Sequence, residues 1–199
     1  MPSELDRLTA RISACQLCAE TFSTTRTRHR PRPVVYPSAT ARILIAGQAP
    51  GARVHESGVP FDDRSGDRLR DWLGIDSATF YDRGRIAIVP MAFCFPGYDP
   101  RGADLPPPAR CADTWRTDLL GMMRQIQMVL LIGQYAQRWH IRDTRKKTLT
   151  ETVRNWREYG PECIPLPHPS WRNTAWLRKN PWFEAEVLPH LRARVAALL

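Results

Sequence analysis

The chain has 199 residues, 43% of them hydrophobic, and carries 29 Lys plus Arg against 20 Asp plus Glu, for a formal charge of +9. That apolar content excludes a largely disordered chain, and the length favours a single α/β domain over residues 1–199. No apolar run approaches the roughly 20 residues that span a bilayer, and the opening MPSELDRLTA lacks the apolar core of a signal peptide, so a cytoplasmic protein without a membrane partner is expected.

Residues 4–14 read as a short helix leading to Cys15. Thr21 to Pro37, with Arg26, Arg28, Arg30 and Arg32 around two prolines, reads as exposed and extended. ARILIAG (41–47) is a buried-strand pattern closed by glycine, and a long polar loop follows from Gln48 to about Ser65. GDRLRDWLGI then places Leu69, Trp72 and Leu73 on one helical face. RIAIVPM (85–91) predicts a strand that stops at Pro90, and FCFPGYDPRGADLPPP predicts a loop rich in turns.

A helix over Ala109–Gln125, a strand over 126–133 and a helix over Gln134–Ile141 come next. TLTETVRNWREY (148–159) predicts one more helix, CIPLP (163–167) a last strand, and the chain from Pro181 a final helix. Strands alternating with helices predict a three-layer α/β/α sandwich around a mainly parallel four-stranded sheet. Ligands of such sheets bind beyond the carboxyl ends of the strands. GQAPG after the first strand, MAFC after the second and HPS after the last would meet at that rim.

Lys146, Lys147 and Lys179 are the only lysines, so the basic excess is arginine. Arginine forks onto phosphate oxygens, which suits a nucleic acid; a solvated surface explains the charge equally well. The run RWHIRDTRKK (138–147) carries the same two readings. Without a secretion signal, five cysteines argue against a disulfide framework. Cys15 and Cys18 form C-x2-C, Cys94 and Cys111 make a second pair, and Cys163 is left over. Two such pairs meeting in the fold would hold zinc or an iron–sulfur cluster; scattered buried thiols are the alternative. Gly47-Gln48-Ala49-Pro50-Gly51 forms a turn that lets backbone amides approach a ligand, and it is neither a P-loop nor a dinucleotide fingerprint.

GQAPGARVHESGVPFDDRSGDRLRDWLG resembles the first motif of the iron–sulfur uracil-DNA glycosylases, GEAPG…G-x-PF-x-x-R-[AS]-G-x-L, with no insertion between Gly47 and Phe61. His168-Pro169-Ser170 resembles the second motif, and LLIG with its following helix resembles the segment between them. Cys15, Cys18, Cys94 and Cys111 follow the order and approximate spacing of that family's cluster ligands, so the resemblance runs over residues 15–170. It implies a [4Fe–4S] cluster on those four cysteines, with zinc as the alternative, and uracil-containing DNA, single- or double-stranded, as partner. The implied reaction flips uracil out, hydrolyses its N-glycosidic bond and leaves an abasic site. No lysine lies in the two motifs, so no lyase step is implied; a monomer is expected.

The resemblance also implies roles residue by residue. His168 would donate to the departing uracil anion. Phe61 would stack on the flipped ring, and Gly47, Ala49, Pro50, Gly51 and Ser170 would shape the base pocket. Gln48 stands where many relatives have an acid, and would position water or bind the base. Asp63 would polarise water or stabilise the oxocarbenium ion; Asp62 and His55 are alternatives, and a helix-capping role is the plainer reading of Asp63. Trp171, Arg172, Asn173 and Arg178 would grip the strand, with Trp171 or Arg172 filling the gap left by the base. Trp176 and Trp182 read as core residues holding the last helix. Pro90 takes the place of an asparagine common in uracil-selective relatives, which implies a wider base range. Two rivals remain: a non-catalytic protein that binds uracil or abasic sites in DNA, and a zinc-stabilised nucleotide- or RNA-binding module.

Overall fold

Four short apolar runs build the sheet: β1 (Ile43–Ala46), β2 (Ile86–Ile88), β3 (Met128–Ile132) and β4 (Cys163–Leu166). The computed structural model describes residues 1–199 and orders them β2-β1-β3-β4, every pair parallel. Leu44 of β1 lies opposite Ala87 and Val129, and Ile45 opposite Ile88 and Leu130. Nearly every strand residue is buried, because helices cover both faces.

The helices are α1 (Glu4–Ser13), α2 (Ala19–Thr24), α3 (Ala52–Ser57), α4 (Arg64–Leu73), α5 (Ser77–Phe80), α6 (Ala109–Gly121), α7 (Gly133–His140), α8 (Leu149–Arg154), α9 (Thr174–Lys179) and α10 (Leu188–Leu198). Alternation along β1 divides the core in two. Ile43 and Ile45 face a large cluster with Leu69, Trp72 and Leu73 of α4 and Leu191 and Val195 of α10. Leu44 faces the other side, with Leu8 and Ile12 of α1 and Leu119 of α6. The α/β/α layering read from the sequence is the observed one. No helix is long and apolar enough to cross a membrane.

Several boundaries differ from the sequence reading. The segment from Thr21 is helical until Thr24 and extended only afterwards, ending in an antiparallel bridge between Tyr36 and Ile88. The loop after Gln48 contains α3, and α4 begins at Arg64, where Asp63 caps it. Helix α6 stops at Gly121, and the predicted 148–159 helix breaks at Asn155 into α8 and a 3-10 turn. Helices α5 and α9 have only four and six residues, too few to show a helical period. The last helix opens with a π turn over Phe183–Val187. Trp176 and Trp182 pack partly buried against the large cluster around Phe183, as read from the sequence.

Candidate active site

The loops after β1, β2 and β4 converge on a cavity of about 470 Å³ that opens to solvent. Gly47, Gln48, Ala49, Pro50 and Gly51 line one side, Phe61 and Asp63 a second, and His168, Ser170, Trp171 and Arg172 a third. The first two loops are tied together by the backbone: the Met91 N–H donates to the Gly47 carbonyl at 2.9 Å, and the Ala92 N–H to the Gln48 carbonyl at 3.1 Å. Pro90 closes the floor beside them.

His168 sits just beyond β4. The Ser170 backbone N–H donates to its Nδ1 at 3.2 Å. An N–H can only donate, so Nδ1 accepts and the neutral ring carries its proton on Nε2. Burial pushes the imidazole below its usual range, with Asp63 pulling it partly back, so the neutral form prevails at pH 7. The loop is stapled from two sides. Asn173 Nδ2 donates to the His168 carbonyl at 2.7 Å, and Arg68 of α4 donates to the Ser170 carbonyl at 3.0 Å and to Thr174 Oγ1 at 3.1 Å. Gly133, at φ +80°, backs the histidine, and a Cβ there would stand 3.9 Å from His168 Cβ.

Phe61 adopts φ +56°, a left-handed conformation that strains a bulky residue by about 1–3 kcal/mol. Its ring lies against Gly47, where a Cβ would come within 3.5 Å of Cζ, and meets Phe80 edge-on at 6.0 Å. One edge is therefore held by the core while the ring borders the cavity.

Asp63 does two things. Its Oδ1 accepts from the Gly66 N–H at 2.9 Å, so it caps α4 as the plainer reading had it, and it also lines the cavity near His168. Asp62 and His55 do not line the cavity. Asp62 makes a loose pair with Arg53 at 3.9 Å, and His55 packs edge-on against His29, their ring centroids 5.1 Å apart. A second carboxylate, not among the residues read from the sequence, is Asp104, solvent-exposed on the cavity wall beside Tyr98. Partial desolvation of its carboxyl pushes its pKa up, Arg172 opposes that shift and Asp63 adds to it. Its only sequence signal was membership of a turn-rich loop, because the Tyr98–Asp104 bridge that folds the loop over the cavity has no local pattern.

The family model of the uracil DNA glycosylase superfamily matches residues 33–192, which contain every residue lining the cavity. The chain belongs to that superfamily. Membership implies a DNA glycosylase, a hydrolase of base excision repair that acts on DNA. The match begins after Cys15 and Cys18 and says nothing of them.

In this glycosylase-family site the expected DNA-gripping residues separate into two groups. Trp171, 66% exposed, and Arg172 stand on the cavity rim, with the guanidinium 5.9 Å from the indole centroid. Asn173 turns inward to hold His168, and Arg178 is exposed on α9 outside the cavity wall. Arg53 and Arg64 line the same cavity and add positive charge to it.

Cys15, Cys18, Cys94 and Cys111 border a second, narrow cavity of about 20 Å³, walled by Phe22, Pro31, Pro33, Phe93, Pro108 and Trp115. All five cysteines are free, and Cys163 lies apart on β4. Burial pushes the Cys94 thiol up to about 12 and the Cys111 thiol up to about 11, and raises Cys18 as well. The Phe93 N–H donates to Cys111 Sγ at 3.4 Å. No three His, Cys, Asp or Glu side chains are gathered to share one metal ion.

Proposed function

We propose that the protein is a monofunctional uracil-DNA glycosylase of the iron–sulfur branch, acting on single- or double-stranded DNA. The observation that carries this reading is His168: a partly buried, neutral imidazole whose Nδ1 is occupied and whose Nε2–H is the one ring donor left for a ligand.

Extruding a base costs a few kcal/mol of stacking and pairing. Phe61 offsets part of this by stacking on the ring, and Trp171 or Arg172 by filling the vacated space. As the N-glycosidic bond lengthens, electrons pass into the uracil ring and positive charge develops on the sugar. The His168 Nε2–H meets the charge growing on a uracil carbonyl oxygen, a contribution of roughly 3–4 kcal/mol by analogy with oxyanion holes. The Asp63 carboxylate stabilises the oxocarbenium ion and orients the attacking water, with Gln48 completing that water's hydrogen bonds. Uracil leaves as its anion, water adds to the sugar carbon and gives up a proton, the uracil anion takes a proton from solvent, and an abasic site remains. No lysine lines the cavity, which favours hydrolysis over a lyase step.

The second cavity supports the cofactor half of the reading. Its donors are all sulfur, its walls are apolar, and no carboxylate or imidazole borders it, a set suited to a soft thiolate-ligated group. Cys15, Cys18, Cys94 and Cys111 would hold a [4Fe–4S] cluster there, one thiolate to each iron; zinc, which would need them gathered on one ion, is the alternative that iron and sulfide analysis separates. When bound, the group would cross-link the N-terminal segment to the rest of the fold.

Incubation with end-labelled oligonucleotides carrying one uracil, followed by hot alkali, tests the reading. Scission at uracil only after alkali supports it; hypoxanthine lanes show how far Pro90 widens the base range. A second reading, binding of uracil or abasic DNA without turnover, rests on Gln48 standing where an acid could take a proton. A gel shift without scission would favour that one.

A further inference from the structure

Helix α6 carries Cys111 and, five residues later, Arg116. Arg116 is the largest fully buried side chain in the protein, at 0% exposure. Its Nη1 donates to the Val89 and Pro90 carbonyls, both at 2.9 Å, and its Nη2 approaches His140 Nε2 at 2.7 Å. The Trp139 ring lies 5.0 Å away, and Nε has no partner at all. A guanidinium has no acceptor, so His140 must accept through Nε2 and keep its proton on Nδ1. Burial and the Arg116 charge push that imidazole down to about 3, so it is neutral. Every group touching Arg116 is therefore uncharged, and no carboxylate pairs with it.

A buried cation without a counter-charge destabilises a fold even after relaxation. Arginine does not escape by losing its proton: burial brings Arg116 down only to about 10, still charged at pH 7. The missing negative charge has one evident source. The guanidinium ties α6, which bears Cys111, to the strand end at Val89–Pro90, from which the chain runs on to Cys94. As free thiols these cysteines supply no charge. As thiolates around a [4Fe–4S] core they bring a net charge of about −2 to the neighbouring cavity.

We propose that Arg116 is the buried counter-ion of the thiolate-ligated group held by Cys15, Cys18, Cys94 and Cys111. This rests on the cofactor reading above. The same guanidinium also holds the carbonyl of Pro90, which lines the base cavity, from the helix that carries Cys111.

The test compares Arg116→Met, which removes charge and donors, with Arg116→Lys, which keeps the charge but loses the fork. Iron and sulfide content of the wild-type protein comes first: their absence overturns the cluster reading itself, separately from the role of Arg116. With the cluster present, the half-life of its absorbance near 400 nm under excess chelator is followed, and melting of the loaded and cluster-free proteins is compared. The expected result is release about tenfold faster in Arg116→Met, and a smaller gain in melting temperature on loading, with Arg116→Lys close to wild type. Failure of Arg116→Met to retain any cluster while Arg116→Lys retains it gives the same answer. Equal retention in wild type and Arg116→Met overturns the proposal. So does equal loss in both variants, because the fork's geometry rather than its charge would then be what matters.

Discussion

A Cβ on Gly66 would stand 1.8 Å from the carbonyl oxygen of Phe61. The first turn of α4 therefore closes onto the strained Phe61 only because residue 66 has no side chain, and the contact fixes the Phe61 ring at the cavity wall. Gly66→Ala forces the two apart and is expected to destabilise the fold by about 2–3 kcal/mol, measured by denaturant unfolding. Excision falls with it as Phe61 shifts. Full stability in that variant would show that the Phe61 turn relaxes freely.

Asp63→Asn separates the two uses of that carboxylate. Asparagine caps a helix as well as aspartate does, so the bond from Gly66 survives and the melting temperature should stay within a degree or two. The charge near His168 is lost, and excision should drop about 10- to 100-fold, roughly 1.4–2.8 kcal/mol of barrier. Asp104→Asn is the companion variant. A fall there and not at Asp63 would move the water-orienting role to Asp104.

Asn173 and Arg172 are neighbours with different predicted phenotypes. Arg172→Ala should weaken DNA binding, more so at low salt, because an exposed rim cation acts on phosphates. Asn173→Ala should leave binding nearly unchanged and slow excision about tenfold, since its amide holds the His168 carbonyl. Gel shifts and single-turnover rates measured on both variants distinguish the two.

The partly buried imidazoles His140 and His168 should make the protein acid-labile. Both are held below their usual 6.5, His140 down to about 3, so they stay neutral in the fold while the unfolded chain takes up protons. Stability from this source is complete above about pH 6.5 and is lost as pH falls toward the folded values, by up to about 1.4 kcal/mol per pH unit for each group. Urea midpoints between pH 7.5 and 5 should fall, and His140→Gln should flatten part of the slope.

Much of this site was legible in the sequence because it hangs on strand ends. Gly47–Gly51, Phe61 and His168 lie close after buried apolar runs or glycine-marked turns, and the parallel sheet brings those ends to one rim. The same local signal identified Asp63 as a cap. Asp104 and Arg116 were not legible. Asp104 reaches the cavity through a loop fold without period, and an arginine among 25 others gives no sign in sequence of being buried. Asn173 sits in a basic aromatic stretch that looks like a DNA grip, and only the loop's own hydrogen bonding turns its amide inward.

The central claim is that His168 donates to uracil as it leaves. It is tested most directly by single-turnover excision from an oligonucleotide with one uracil, wild type against His168→Ala, with folding checked by thermal melting. Alkali-dependent scission by the wild type is expected, with a rate at least about 100-fold lower in a folded His168→Ala protein that still shifts the DNA. A rate within about threefold of wild type, or no excision by cluster-loaded wild type, would contradict it.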